Sequence, residues 1–257
     1  MRKILNLEIK KILTDKKLLI MWGVVLFFGY QVIGGVTIDD TYSSIFQKIY
    51  LISPLIGILI FMVFSGSYVI EYSFKMDYLI KTTKSYKKVV LAKSIANTLI
   101  ASLISISILL IMTIKALISV DFQGINTPIN KIWYFGNSNT NITILGMIMI
   151  VCFTFILGSF LFAQIGLFLS SISRYAIKPF LLGGLIMGIP FLSGIYGISQ
   201  FFPKKILLFT PLNGMFSSEL IRYGAPISVY IFFIIFSLTV GFLLYRLTLS
   251  SFIKSRS

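Results

Sequence analysis

Residues 142–170 read ITILGMIMIVCFTFILGSFLFAQIGLFLS, 29 positions without one Asp, Glu, Lys or Arg. A bilayer's hydrocarbon core is about 30 Å thick and takes about 20 apolar residues of helix to cross. Only a structure that satisfies its own backbone hydrogen bonds can do so, and within a single segment that structure is a helix. The stretch is therefore predicted as a transmembrane helix. Working outward from it, five more charge-free stretches of spanning length occur at 18–36, 49–70, 95–114, 179–200 and 226–245. The composition agrees, with 57% hydrophobic and 12% charged residues, against roughly 45–50% and about 25% in soluble domains. We expect an all-α integral membrane protein, one transmembrane domain over residues 1–257 with six spans. The first stretch follows a basic start, as a signal peptide would. It runs longer than the usual apolar core of such a peptide and no small-residue cleavage pattern follows, so it reads as a retained helix.

The charges then orient the spans. The sequence carries 23 Lys and Arg against 8 Asp and Glu, a formal charge of +15. Seventeen of the basic residues fall in the N-terminus, the second-to-third connection, the fourth-to-fifth connection and the tail, and six in the opposite connections. By the positive-inside rule both termini are predicted to be cytoplasmic. The basic balance thus reports topology, and no nucleic-acid partner is needed to explain it.

Absences narrow the chemistry. The chain has no histidine and a single cysteine, Cys152, which excludes His-based metal sites, Ser-His-Asp and Cys-His catalytic groups and any intrachain disulfide. No P-loop, dinucleotide fingerprint or HExxH occurs, and no carboxylate lies in the six stretches. The chain is not expected to be an enzyme or to hold a metal or cofactor. Gradient-driven pumps place ionisable groups inside the bilayer, so energy for uphill transport would have to come from a partner.

Between the spans, Leu5, Ile9, Ile12 and Leu13 recur at helical spacing beside Lys3, Lys10 and Lys17, the pattern of an interfacial amphipathic helix. Residues 71–94 form a longer connection than two packed helices require. Read as a helix, Tyr72, Met76, Leu79, Ile80 and Thr83 share one face, with Asp77, Lys81, Lys84 and Lys88 opposite. Such a helix lies on a bilayer or docks in a protein groove. Trp133 and Tyr134 read as an interfacial aromatic pair. Residues 201–223, with Pro203, Pro211 and Gly214 around an apolar run, read as a re-entrant or interfacial pair of short helices. Pro54 and Pro190 are expected to kink the second and fifth spans. Ser159 with Ala163, Gly166 with Ser170 and Gly184 with Gly188 have the spacing of close helix contacts.

This arrangement resembles the permease subunits of type 2 ATP-binding-cassette exporters, in the short six-span form of low-GC Gram-positive bacteria. The resemblance covers nearly the whole chain. It rests on Leu5-Asn-Leu-Glu-Ile-Lys-Lys-Ile-Leu, on Glu71-Tyr-Ser-Phe-Lys-Met-Asp-Tyr-Leu followed by Ser85-Tyr-Lys-Lys-Val-Val-Leu-Ala-Lys93, on Ser170-Ser-Ile-Ser-Arg174, and on the short helices before the sixth span. Where the family often has Gly-Thr, this chain has Lys75-Met76. The resemblance implies a bacterial plasma-membrane protein with a cytoplasmic ATPase dimer as partner, which binds the ATP and Mg, and a second permease chain. It assigns ATPase coupling to Glu71, Tyr72, Phe74, Met76, Tyr78, Leu79 and Lys81, with Arg174 as a second contact. It places the second and fifth spans along the substrate path, offering Phe61, Met62, Phe64, Ser65 and Tyr68, then Phe180, Met187, Phe191 and Tyr196. The implied cargo is amphipathic or antimicrobial-type peptide, phenol-soluble modulins among them. The alternatives are another cargo (drug, lipid-linked glycan, haem) or a stand-alone channel or membrane assembly protein.

Overall fold

The computed structural model describes residues 1–82, 86–136, 138, 140–195 and 208–254. Among them are eleven α-helices: α1 (Arg2–Leu13), α2 (Lys16–Gln31), α3 (Ile38–Leu51), α4 (Ser53–Ser73), α5 (Met76–Thr82), α6 (Tyr86–Ser119), α7 (Ile144–Ser171), α8 (Ile177–Ile195), α9 (Pro211–Met215), α10 (Ser217–Arg222) and α11 (Ile227–Lys254). Two 3-10 turns, Ile129–Lys131 and Trp133–Phe135, interrupt the long α6–α7 connection. No strand occurs among the described residues.

Five of the helices, α4, α6, α7, α8 and α11, are long and apolar enough to cross a membrane. The first expected span differs. Its helix, α2, has 16 residues and stops at Gln31, about 24 Å at 1.5 Å per residue and short of a full hydrocarbon core. The second span also starts later than expected. Pro54 sits in the first turn of α4 and has no N–H to continue the preceding helix, so residues 49–51 belong to α3. That helix occupies what reads in the sequence as an outer connection. Thr37 caps it by accepting from the Asp40 N–H (3.1 Å), and Tyr42, Ile45, Phe46 and Ile49 are fully buried. Pro190, in contrast, lies inside α8 without ending it.

Helix α7 is the centre of the bundle, packed against α4, α6, α8 and α11. In the spanning windows of α4, α6 and α7, 50–61% of residues are buried within the chain, against 22% in α8 and α11. The latter two are therefore the peripheral helices, with Leu181, Leu185, Ile189, Ile235, Phe242 and Leu243 exposed. Glycine sets how closely α7 approaches α4: a Cβ at Gly166 would stand 2.5 Å from Phe64 Cβ. Ser159 and Ala163 are likewise buried inside the chain, whereas a Cβ at Gly184 or Gly188 would meet nothing within 4 Å among the described residues. The small-residue spacing thus marks internal packing on α7 and an outward face on α8.

Both ends of the bundle carry short elements. At one end lie α1, α5, the α7–α8 turn and the last turn of α11, where Phe252 packs against Tyr68 and Tyr72. At the other lie α3, the 3-10 turns, α9 and α10. The pair α9–α10 matches the short helices expected before the last span, although residues 201–207 lie outside the described ones. It is wedged against α7, where Thr154 Oγ1 donates to the Met215 carbonyl (2.9 Å), and Leu212, Met215, Phe216, Ser217 and Ser218 are fully buried.

Gly166→Ala forces a methyl group into Phe64 and is expected to destabilise by about 1–3 kcal/mol. Gly184→Ala, on the open face, is expected to cause no loss. Thermal unfolding of the two variants in detergent checks the difference.

Candidate functional site

The end of the bundle that carries α1 and α5 is built around one buried cation. Lys93, in the second turn-pair of α6, is completely buried. Its ammonium lies 2.8 Å from Glu71 Oε1 of α4 and 3.1 Å from Glu8 Oε1 of α1, donates to the Ser67 carbonyl at 3.1 Å, and stands 5.5 Å from the centre of the Tyr68 ring. A lone ammonium in such a place would be very costly, and only paired, hydrogen-bonded charges are tolerated there. The cation therefore ties three helices together. Polar side chains one turn further in extend the seam: Asn97 Nδ2 donates to the Lys93 carbonyl (2.7 Å), Ser67 Oγ donates to Asn97 Oδ1 (3.2 Å), and Gln164 Nε2 of α7 donates to Ser94 Oγ (2.6 Å).

Because α4 continues to Ser73 and α6 begins at Tyr86, the long connection read from the sequence contracts to residues 74–85, with α5 at its tip. Two expected coupling residues therefore move. Glu71 is buried in the Lys93 cluster, and Tyr72, half-buried on the last turn of α4, donates from its hydroxyl to the Ser171 carbonyl (2.9 Å). Neither stands on the connecting helix. The expected charged face also fails at Asp77, which is buried. Phe74, Met76, Tyr78 and Leu79 are all exposed, Phe74 by 73%. Lys75 between them takes a left-handed backbone (φ 54°) that turns the chain out of α4 into α5. Lys81 is on α5, with its side chain outside the described set, and Arg174 is exposed in the α7–α8 turn at the same end.

The residues expected along a substrate path are placed mostly in the core. Phe61, Phe64, Tyr68 and Met187 are buried, Phe61 edge-on to both Phe64 (5.6 Å) and Phe162 (6.1 Å). Ser65 is buried and bonded back to the Met62 carbonyl (3.5 Å). Phe180 and Phe191 are half-buried, the latter against Tyr50 (5.7 Å), and Tyr196 lies outside the described residues. Within a single chain these side chains are packing groups; among them Met62 lines a cavity, between α4 and the α1–α2 elbow.

The far end has its own charged junction, which the sequence pattern does not announce. Tyr134, expected as an interfacial aromatic, is buried and donates to the carboxylate of the buried Glu219 on α10. Arg222 reaches the same carboxylate (3.5 Å) and covers the Tyr134 ring at 4.8 Å. Burial pushes Glu219 above the usual carboxylate range, opposed by the Tyr134 hydrogen bond and the Arg222 charge. Burial and the Glu219 charge push Tyr134 up as well. Beside it, the Tyr50 hydroxyl donates to Asn213 Oδ1 (3.3 Å), joining α3 to α9.

Among the described residues no group of His, Cys, Asp and Glu is arranged to hold a metal ion. Comparison with known protein families, curated proteins and solved structures finds no match to the chain.

Lys93→Met leaves the buried Glu71 and the partly buried Glu8 without their cation and is expected to cost about 3–5 kcal/mol. Adding Glu71→Gln removes the more deeply buried of these charges and is expected to recover part of that loss. Melting temperatures of the two variants in detergent read the effect; equal melting of Lys93→Met and the parent would show that the cluster carries no net stabilising charge.

Proposed function

We propose that this chain is the membrane-spanning permease subunit of an ATP-binding-cassette exporter, moving amphipathic or antimicrobial-type peptides out of a bacterial cell. The observation that carries the reading is the set Phe74, Met76, Tyr78 and Leu79, exposed together on the short connection between two spanning helices. Apolar side chains at that place suit either the bilayer surface or a protein partner. The partner meant here is a protein groove that accepts an amphipathic helix. The surrounding Lys75, Lys87 and Lys88 belong to the lysine-rich side that the positive-inside rule puts in the cytoplasm, where an ATPase would be.

In this reading ATP and Mg are bound by the separate ATPase, and this chain supplies the lever. Closure of the ATPase dimer presses on α5, and with Arg174 as a second contact the push enters α4 and α6 together, because the Lys93–Glu71 pair couples them. Glu71 acts by holding the lever and Phe74, Met76, Tyr78, Leu79 and Lys81 by touching the partner. A second permease chain completes the path, to which α4 and α8 each contribute a face. Access then alternates as the helices tilt about the α7 core.

The test is capture of the ATPase. The detergent-solubilised chain, co-expressed with the ATP-binding-cassette ATPase gene nearest to its own, is expected to retain that subunit. Phe74→Asp with Leu79→Asp is expected to abolish retention while the chain still inserts and elutes as the parent does. A chain that retains no ATPase and conducts ions alone in liposomes would replace this reading with that of a channel.

A further inference from the structure

Where α1 turns into α2, the two helices stand off from α4 and leave a cavity of about 110 Å³. A single water needs about 10–15 Å³ on a comparable measure, so there is room for a larger group. The hollow exists because α4 has glycine at its wall: a Cβ at Gly66 would touch only the Ile70 side chain of its own helix, at 3.1 Å. Glycine inside a helix costs about 1 kcal/mol relative to alanine, a loss with no packing gain within the chain to offset it.

The lining is divided. Met62, Val63 and Ile70 of α4, with Leu18 of α2, form an apolar wall on which Ile70 is exposed. Lys11 and Asp15, on the α1–α2 elbow, supply the charge. Glu8 also lines the cavity, but its carboxylate is engaged by Lys93 at 3.1 Å. Lys11 has no hydrogen-bond or ion-pair partner among the described residues. Asp15 is exposed, and its Oδ1 accepts from the Lys17 N–H (3.0 Å) as the cap of α2. Partial burial of its ammonium and the neighbouring Lys93 charge lower Lys11 from the usual lysine range, opposed by the Glu8 and Glu71 carboxylates, and Lys11 is the cation at the mouth of the cavity without an ion-pair partner among the described residues.

We propose that this cavity binds the headgroup of an amine-bearing phospholipid from the adjacent leaflet. Its phosphate pairs with Lys11, its ammonium with Asp15, and the start of an acyl chain runs along Met62, Val63 and Ile70. The position suits a lipid: the cavity lies at the elbow between the amphipathic α1 and the apolar α2, at the lysine-rich end of the bundle, where headgroups would lie around helices that cross a bilayer. The two signs of charge select a zwitterion, since a purely anionic headgroup meets Asp15 unpaired. The inference needs only that the chain sits in a bilayer, and it stands whether or not an ATPase docks on α5.

The experiment counts lipids by native mass spectrometry on protein equilibrated in micelles with equal phosphatidylethanolamine and phosphatidylglycerol. One phosphatidylethanolamine per chain is expected to be retained in preference. Lys11→Ala is expected to lower that retention about tenfold, the effect of one lost charge-assisted hydrogen bond, and Gly66→Leu to abolish it by filling the hollow. Lys131→Ala, a lysine at the opposite end, is expected to change nothing. Equal retention of the two lipids, or retention unchanged by Lys11→Ala, overturns the proposal, and the Lys11 result decides if Gly66→Leu does not fold. Competition by water-soluble glycerophosphoethanolamine as strong as that by the lipid would likewise overturn it, in favour of a soluble ligand.

Discussion

A lysine ammonium sealed inside a bundle of apolar helices has to be answered by carboxylates, and at Lys93 they arrive from two other helices. Glu71 fixes how α4 meets α6; Glu8 fixes how α1 lies across them. Ion pairs of this kind add little net stability compared with a well-packed apolar substitute, yet removing one partner is severe. What such a pair does constrain is geometry, since its partners must meet for the charges to be answered. Here the arrangement held is the one that presents α5 outward and keeps α1 against the bundle end, so the exposed and the buried parts of this region depend on the same three charges.

The rest of the bundle is organised around packing. Helix α7 carries no charged residue and little amphipathic bias; what distinguishes its sides is residue size. Gly158 accepts Met215 of the wedge and Gly166 accepts Phe64 of α4. In a bilayer, where lipid tails are as apolar as leucine, close van der Waals contact of this kind takes over the role that apolar burial has in water. The far end adds hydrogen bonds from Tyr134, Tyr50 and Thr154, which secure α3, α9 and α10. Each end is thus pinned by polar groups and the middle by shape.

The spans at α6, α7 and α11 were plain in the sequence because a charge-free run of spanning length has few other uses. Their true ends were not, since a helix continues past the last apolar residue wherever lysine or glutamate finds a partner, as at Lys93 and Glu71. Helix α3 was hidden because its apolar positions sit among Asp39, Asp40, Gln47 and Lys48, which made the segment look like a connection; Pro54 was the signal that could have separated it from α4. The buried cluster had a faint signature too. Ser67 and Glu71 are four residues apart on α4, as are Lys93 and Asn97 on α6, two polar pairs at facing helix ends. Nothing in the pattern paired Tyr134 with Glu219, because that contact joins two short elements, a 3-10 turn and α10, whose residues stand 85 apart. The aromatic path residues Phe61, Phe64 and Tyr68 were identifiable as large and apolar, but which side of a helix faces a neighbour is decided by the glycines opposite.

The brevity of α2 bears on the membrane itself. With 16 residues and a largely exposed apolar surface at Leu19, Ile20, Val24, Phe27 and Phe28, it reaches about 24 Å where the tails around α6 extend roughly 30 Å. That is hydrophobic mismatch, and a bilayer accommodates a short helix by thinning locally or by tilting its lipids toward it. Were α2 to cross a bilayer beside the five longer helices, its flank would sit in thinned membrane while the flank formed by α8 and α11 would sit in membrane of ordinary thickness. A lipid or an amphipathic chain would then find its lowest barrier to leaving the leaflet on that thin side.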